Sequence, residues 1–379
     1  MTEIEQEFLD SGGVWEKFRL GNLFSSFSAI KQAKSQGAIP TDNSENGVNY
    51  VVQSMYNNMV ARRVNKQYLI ENNEPPVSGN KIVLGVTLPA VSYQEKEFGA
   101  SQVITATSEW LNKNNGIYIA TLISKEMYQF SYSKKPGLQI YKDMEIEFPS
   151  INGNLALSFM ENFIAELKAL RVAELHAYLQ ATGLSNYTLS DDEQAALNAI
   201  KTAKWQIFNI VDVFDVKNTF NILSRDIVEN SGNIPYLSAS RENNAVASYI
   251  SYDENFLDKG NCIFIGGKTF VVTYQEQDFY SNDSHNLCLY LKETEKLNKL
   301  NQFFMISCLA KGLSHQYSWG NSISNKKIQK DQFLLPIKDG KIDYEFMEIF
   351  ISAIQKLVIK DVVQWADKQI EATEKVILN

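Results

Sequence analysis

The residues able to do chemistry in this chain are few, and their spacing decides what they could do. The histidines are His176, His285 and His315, and the cysteines are Cys262, Cys288 and Cys308. None falls into an H-x-E, HExxH or CxxC pattern, so neither a zinc site nor a disulfide framework is expected, and the thiols read as reduced and intracellular. Glu95 with Glu97, and Glu276 with Asp278, are carboxylates two residues apart. On a strand such residues share a face, which would suit a metal-dependent nuclease. No Pro-Asp and Glu-x-Lys partners accompany them, and they read as solvated or ion-paired acids. Gly266-Gly267-Lys268-Thr269 resembles the end of a phosphate loop, but the pattern needs Gly at 262, where Cys262 stands. No G-x-S-x-G elbow is present. The only Pro-Pro, Pro75-Pro76, is followed by Val77, so the Asn/Asp-Pro-Pro-aromatic loop of a base methyltransferase is missing as well. The chain is expected to perform no chemistry of its own.

Such a chain must act by binding. Its 379 residues suggest two or three domains. With 44% hydrophobic, 12% aromatic and 21% charged residues, it has the means to bury large cores. The net charge of −8 excludes a simple polycation that coats nucleic acid, but not a reader with locally placed basic groups. Met1 to Asp10 carries four acidic residues and no apolar core of a secretory signal. No apolar run approaches the ~18–20 residues of a membrane span. A soluble, cytoplasmic protein is expected.

The chain is written twice. Trp15-Glu16-Lys17-Phe18 returns as Trp205-Gln206-Ile207-Phe208, and Gly79-Asn80-Lys81-Ile82 as Gly260-Asn261-Cys262-Ile263. Ser92-Tyr93-Gln94-Glu95-Lys96-Glu97-Phe98 returns as Thr273-Tyr274-Gln275-Glu276-Gln277-Asp278-Phe279. Phe148-Pro149 matches Leu335-Pro336, and Phe159-Met160-Glu161-Asn162-Phe163-Ile164 matches Phe346-Met347-Glu348-Ile349-Phe350-Ile351. All five pairs keep their order at offsets of 181 to 190 residues. The period is far too long for a solenoid, so the chain is a tandem of two large modules.

Each module begins with a mixed part. Lys81–Leu84, Cys262–Ile265, Gly116–Ile119 and Thr269–Val272 read as short strands bounded by turn formers such as Asn114-Asn115-Gly116 and Asp258-Lys259-Gly260. It ends in a long helix: Leu157 to Gln180, stopped at Gly183, and Asp343 to Leu378, both without Gly or Pro. Apolar residues recur at Met347, Ile351, Ile354, Val358, Val362 and Trp365, and at Met160, Ile164, Leu167, Leu175 and Tyr178. The stripes suit two helices paired as an antiparallel coiled coil; packing of each helix on its own globule is the alternative. Ser190 and Glu193 form a capping box in the segment between the modules.

The expected fold is therefore α+β: two globules in pseudo-twofold tandem, separated by two long antiparallel helices. The domains would be residues 1–150, 151–204 for the first helix and linker, 205–340, and 341–379 for the second helix. A helix of roughly 25–35 residues spans about 35–50 Å, close to the 34–36 Å of one turn of B-DNA. The rod could space two DNA-reading heads by about one turn.

This plan resembles the specificity subunit of type I restriction-modification systems and its relative in BcgI-like systems, over nearly the whole chain. The likeness rests on the Trp-x-x-Phe openings, on Gly232-Asn233-Ile234-Pro235-Tyr236-Leu237-Ser238, and on Leu334-Leu335-Pro336-Ile337 running on through Asp339-Gly340-Lys341-Ile342-Asp343-Tyr344. It also rests on Leu179-Gln180-Ala181-Thr182-Gly183-Leu184. The first module departs from it, with Gly47-Val48-Asn49-Tyr50 and Asn152-Gly153-Asn154 at the corresponding places. The resemblance implies that each globule is a target recognition domain reading half of a bipartite, asymmetric site on double-stranded DNA. It implies that the helices dock methyltransferase subunits carrying S-adenosylmethionine for adenine N6 methylation, and restriction subunits where cleavage occurs.

Phosphates call for Lys and Arg, and base edges for Arg, Asn, Gln or Ser. The candidate DNA contacts are Ser238, Arg241, Asn243, Asn244, Lys326 and Lys327 in the second module, and Arg62, Arg63, Lys134 and Lys135 in the first. Candidate partner contacts are Met160, Ile164, Leu167, Met347, Ile351, Ile354 and Val358. The competing readings are the metal-dependent nuclease and a coiled-coil scaffold that binds protein alone.

Overall fold

The computed structural model describes residues 3–377 apart from Gln32, Lys34, Ser35 and Tyr132, with side chains as far as residue 373. The chain divides into two units, Met1–Leu175 with Ile370–Asn379, and His176–Gln369.

In the first unit the strands are Val14–Arg19 (β1), Ser26–Ile30 (β2), Gly47–Val51 (β3), Val60–Asn65 (β4), Lys81–Gly85 (β5), Val91–Gln94 (β6), Phe98–Ala100 (β7), Val103–Thr107 (β8), Glu145–Ile151 (β9) and Asn154–Leu155 (β10). They form sheets ordered β1-β9-β10, β2-β8-β5-β6 and β4-β3-β7. In the second unit they are Trp205–Asn209 (β11), Phe214–Asn218 (β12), Ile234–Leu237 (β13), Val246–Ile250 (β14), Cys262–Ile265 (β15), Val272–Gln275 (β16), Tyr280–Ser281 (β17), Leu287–Leu291 (β18), Gln332–Lys338 (β19) and Lys341–Ile342 (β20). Their sheets are β11-β19-β20, β12-β18-β15-β16 and β14-β13-β17. Each second-unit strand occupies the place of the strand ten numbers earlier.

The repeated motifs turn out to be partners in ladders. Trp15 lies opposite Pro149 and Trp205 opposite Pro336, so the opening and the Pro-bearing motif are the two strands of one pair. Ile82 lies opposite Tyr93 and Ile263 opposite Tyr274, joining the Gly-Asn and Tyr-Gln motifs in the same way. A register shift falls at Tyr50/Val51 and again at Tyr236/Leu237.

The four-stranded sheets are covered on both faces. Ile82, Leu84, Ile104 and Ala106 meet Tyr118, Ile119 and Ile123 of the Lys113–Glu126 helix, while Val83 and Val103 join a second cluster with Val51, Met59 and Phe98. In the second unit Ile263, Ile265, Leu287 and Leu289 meet Phe304, Met305 and Leu309 of the Lys299–Leu313 helix, and Phe264 and Cys288 turn to the other side. Burial on both faces explains why these strands are continuous apolar runs rather than alternating ones. Each such side chain contributes about 1.5–3 kcal/mol on burial.

Two expectations are corrected. Gly116–Ile119 is not a strand but lies within the Lys113–Glu126 helix. The Asn112 side chain accepts from the amides of Asn114 and Asn115, and Asn115 returns a bond to the Asn112 amide, so the polar run is a capping box rather than a turn. Gly116 is there because a Cβ would stand 2.4 Å from the Tyr93 ring. Thr269 ends a turn that starts at Gly267, Phe270 follows at φ 51°, and strand begins only at Val272. Other expectations agree. Ser190 caps the Asp191–Ala199 helix, with the Ser190–Glu193 box present. The first long helix runs Leu157–Ala181 and is followed by Gly183 at φ 72°. The second runs Tyr344–Ile377, and Leu378 lies outside the described residues.

The helical stripes change role along their length. Met160 and Ile164 are buried in the first unit's own core, as are Met347 and Ile351 in the second's. These four were expected to face a partner; they instead anchor each helix to its globule, because the first turns of the helix complete the core. Ile354 is half-buried, and Leu167 and Val358 are exposed, Val358 at 74%. No helix among the described residues is long and apolar enough to cross a membrane.

Candidate nucleic-acid interface

The carboxylate pairs are occupied. Glu95 and Glu276 stand 2.8 and 3.2 Å from Lys113 and Lys299 at the matching helix starts. Glu97 pairs with Lys66 and Asp278 with Lys259. The hydrogen bond and charge of Lys113 hold the Glu95 carboxyl below its ordinary range. The phosphate-loop-like stretch is likewise used internally: the Gly267 amide donates to Asn286, Lys268 pairs with Asp283, and Thr269 donates to the Ala239 carbonyl. His285 sits 2.7 Å from Asp283, and His176 3.7 Å from Asp367. Among the described residues no group of three or more His, Cys, Asp or Glu is placed to hold a metal.

Basic and amide side chains divide into those that build loops and those that leave them. Arg62 donates to the carbonyls of Gln36 and Ile39 and to the Thr41 hydroxyl. Arg63 donates to the carbonyls of Ser44 and Gly47. Both guanidinium groups therefore hold the loop that precedes β3. Asn243 and Asn244 occupy a left-handed turn at φ 49° and 52°. Asn243 donates to the Val246 carbonyl and Asn244 to the Tyr274 carbonyl, while Gln275 donates back to the Asn244 carbonyl. The first unit repeats this clamp through Asn57 to Val60, Asn58 to Tyr93, and Gln94 to Asn58. The Asn-Asn pair is repeated in the sequence at 57–58 and 243–244; Asn243 and Asn244 were expected as DNA contacts, and the match to Asn57 and Asn58 was not drawn. Its function is to fix a turn that only Asn or Gly adopts readily.

Ser238 is half-buried and its amide donates to Ala245, so it belongs to the same turn. Arg241 is exposed at the approach to it. Lys326 and Lys327 lie in the short helix Asn325–Ile328 capped by Ser324. Lys327 donates to the Asn321 side chain and the Ser322 carbonyl, whereas Lys326 is exposed. Lys134 and Lys135 are exposed, and Lys134 lies 5.5 Å from the Phe130 ring centre. The structure thus brings Ser238, Asn243 and Asn244 into one turn and keeps Lys326 with Lys327; it does not join these two groups by any described contact.

A further signal lies in what the sequence omits. Residues 296–330 hold six lysines and no Asp or Glu, and residues 127–142 hold three lysines and none, within a chain of net charge −8. Each run spans a core helix or its end and the basic loop after it. Clearing acids from these stretches favours an anionic partner.

The description "Type I restriction modification DNA specificity domain" matches residues 202–364. The chain is 26% identical over 346 residues to the type II restriction enzyme BgcI specificity subunit S.BcgI of Heyndrickxia coagulans, across 89% of this chain and 94% of that one. Its fold is similar to the crystal structure of a type I restriction-modification system S subunit from M. genitalium, with a TM-score of 0.57 at 12% identity, over 96% of this chain and 94% of that chain. The family description thus falls on the second unit, whose strand order the first unit repeats, and the chain is similar over most of its length to specificity subunits of restriction-modification systems.

Proposed function

We propose that each unit reads one half of a bipartite, asymmetric DNA site, and that the Leu157–Ala181 and Tyr344–Ile377 helices pair antiparallel to space the two readings and to dock methyltransferase subunits. Those partners would carry S-adenosylmethionine and flip the target adenine; restriction subunits would join the same assembly. The carrying observation is that the two units share a frame strand for strand while the exposed residues on equivalent loops differ, Met55 and Tyr56 standing where Arg241 and Glu242 stand in the second. One frame with two sets of exposed side chains suits two different half-sites. The 3.7 Å approach of His176 to Asp367 and the burial of Leu179, Val363 and Ala366 support helix pairing. Beyond the buried first turns, Leu167, Ile354 and Val358 remain for partners. Arg241, Lys134, Lys135 and Lys326 are suited to direct DNA contact, with Arg62, Arg63, Ser238, Asn243, Asn244 and Lys327 shaping the loops that present it.

Methylome sequencing of a host carrying this chain with its methyltransferase tests the reading. A single split motif with unlike halves is expected; an unbroken motif, or none, refutes it. Deleting one heptad from the first helix shortens it by roughly 10 Å, about three base pairs, and should change the spacer while both halves persist.

A further inference from the structure

Trp319 is 75% exposed, an unusual state for the largest apolar side chain, yet the turn beneath it is tightly built. Ser318 and Asn321 exchange amide-to-carbonyl bonds of 3.2 and 3.0 Å across the Trp319-Gly320 tip. The Asn321 side chain donates to the Gln316 carbonyl, and Lys327 donates to the Asn321 side chain. Tyr317, directly before the turn, is buried against Phe270 at 5.3 Å between ring centres and donates to Asp331. A loop fixed this firmly has no folding need for an indole in water. The first unit repeats the device: Ser131 and Lys134 exchange the same pair of bonds at 3.2 and 3.0 Å. Its sequence places Tyr132 where the second has Trp319, and Tyr132 lies outside the described residues.

We propose that Trp319 stacks on a base of the half-site addressed by the second unit, with Lys326 taking a neighbouring phosphate. The inference rests on the proposed DNA-reading function and adds the contact. The surroundings commit the partner: the turn lies inside the acid-free run 296–330, and its nearest acid in the sequence, Asp331, is engaged by Tyr317. The Lys327 ammonium on Asn321 sets a cation at the turn, and an exposed aromatic with a cation nearby suits nucleic acid, where bases stack on the ring and phosphates meet the charge. Loss of one base–aromatic stack lowers affinity roughly ten- to hundredfold.

The test uses the full chain assembled with its methyltransferase subunits, on duplexes bearing the methylated motif with 2-aminopurine placed at successive positions. Apart from the rise at the flipped target adenines, wild type should change 2-aminopurine emission at one further step of one half-site. Trp319→Ala should abolish that further change and weaken binding by the stated factor, while Trp319→Phe retains most of both. Specific binding by wild type with unchanged affinity and emission in Trp319→Ala overturns the inference. So does loss of subunit assembly in Trp319→Ala with unaltered emission in whatever complex forms, which would make the indole a protein contact. Absence of sequence-specific binding by wild type sinks the proposed function itself, and the inference with it.

Discussion

The two units hold their leading helices by opposite means. In the first, Phe8 of the Glu3–Asp10 helix is buried and stacks on Phe159 with ring centres 4.3 Å apart. In the second, the Asp191–Ala199 helix presents Glu193 to Lys356 at 2.8 Å and to the Ser352 hydroxyl at 2.7 Å, with Ala196 buried behind it. One frame thus accepts either an aromatic plug or a buried ion pair at the place where the chain arrives. The shared frame constrains strands and registers, while the means of anchoring remains free to diverge.

The sharpest way to break this comparison is to remove each anchor. Phe8→Ala should cost about 3–5 kcal/mol, measured by urea unfolding, with no change between pH 3 and 7. Glu193→Gln should cost on the order of 3 kcal/mol by leaving Lys356 half-buried and unpaired. Its cost should also vary with pH. Burial opposes the charged Glu193, but hydrogen bonds from Lys356, Ser352 and the Ser190 amide outweigh it and hold the carboxyl at about 2, against 4.5 unfolded. The folded value is the lower one, so the stabilisation is complete above pH 4.5 and disappears as pH falls toward 2. The variant should lose that acid limb; an unchanged limb would mean that Glu193 is not the group responsible.

Other substitutions sharpen what the units share. Asn58→Ala and Asn244→Ala remove the same clamp and strain the same left-handed position, so each should cost about 1–3 kcal/mol. Unequal costs beyond 1 kcal/mol, read from paired denaturant curves, would show that the repeat in geometry is not a repeat in energy. The smallest effects belong to the surface. Lys326→Ala and Lys134→Ala should each change stability by less than about 0.5 kcal/mol. Each should also reduce the salt slope of DNA binding by about 1, as measured by titration at several salt concentrations. A slope unchanged in both would remove these lysines from the interface.

Much of the frame was legible in the sequence because duplication prints every constraint twice. Trp15 and Trp205, Tyr93 and Tyr274, and Phe159 and Phe346 stand out because a ladder or a core demands similar residues at both places. The Ser190–Glu193 box was legible for another reason: its chemistry is local, complete within four residues. The helix at Gly116 was not, since Asn114-Asn115-Gly116 carries the letters of a turn and only the Tyr93 ring, distant in sequence, explains the glycine. Nor was the division of basic residues. Arg62, Lys327 and Lys326 look alike in sequence. Which of them is consumed by a carbonyl depends on loops brought together by the fold.

In each unit the first strand lies against the last long one, Trp15 opposite Pro149 and Trp205 opposite Pro336. Everything between them hangs from a closed clasp whose two ends stay together. A segment mounted in this way is a cartridge: cut out at the clasp and replaced by another of different length, it leaves the rest of the chain where it was. Such a molecule could acquire a new address by exchange of a whole cassette rather than by slow alteration of its parts.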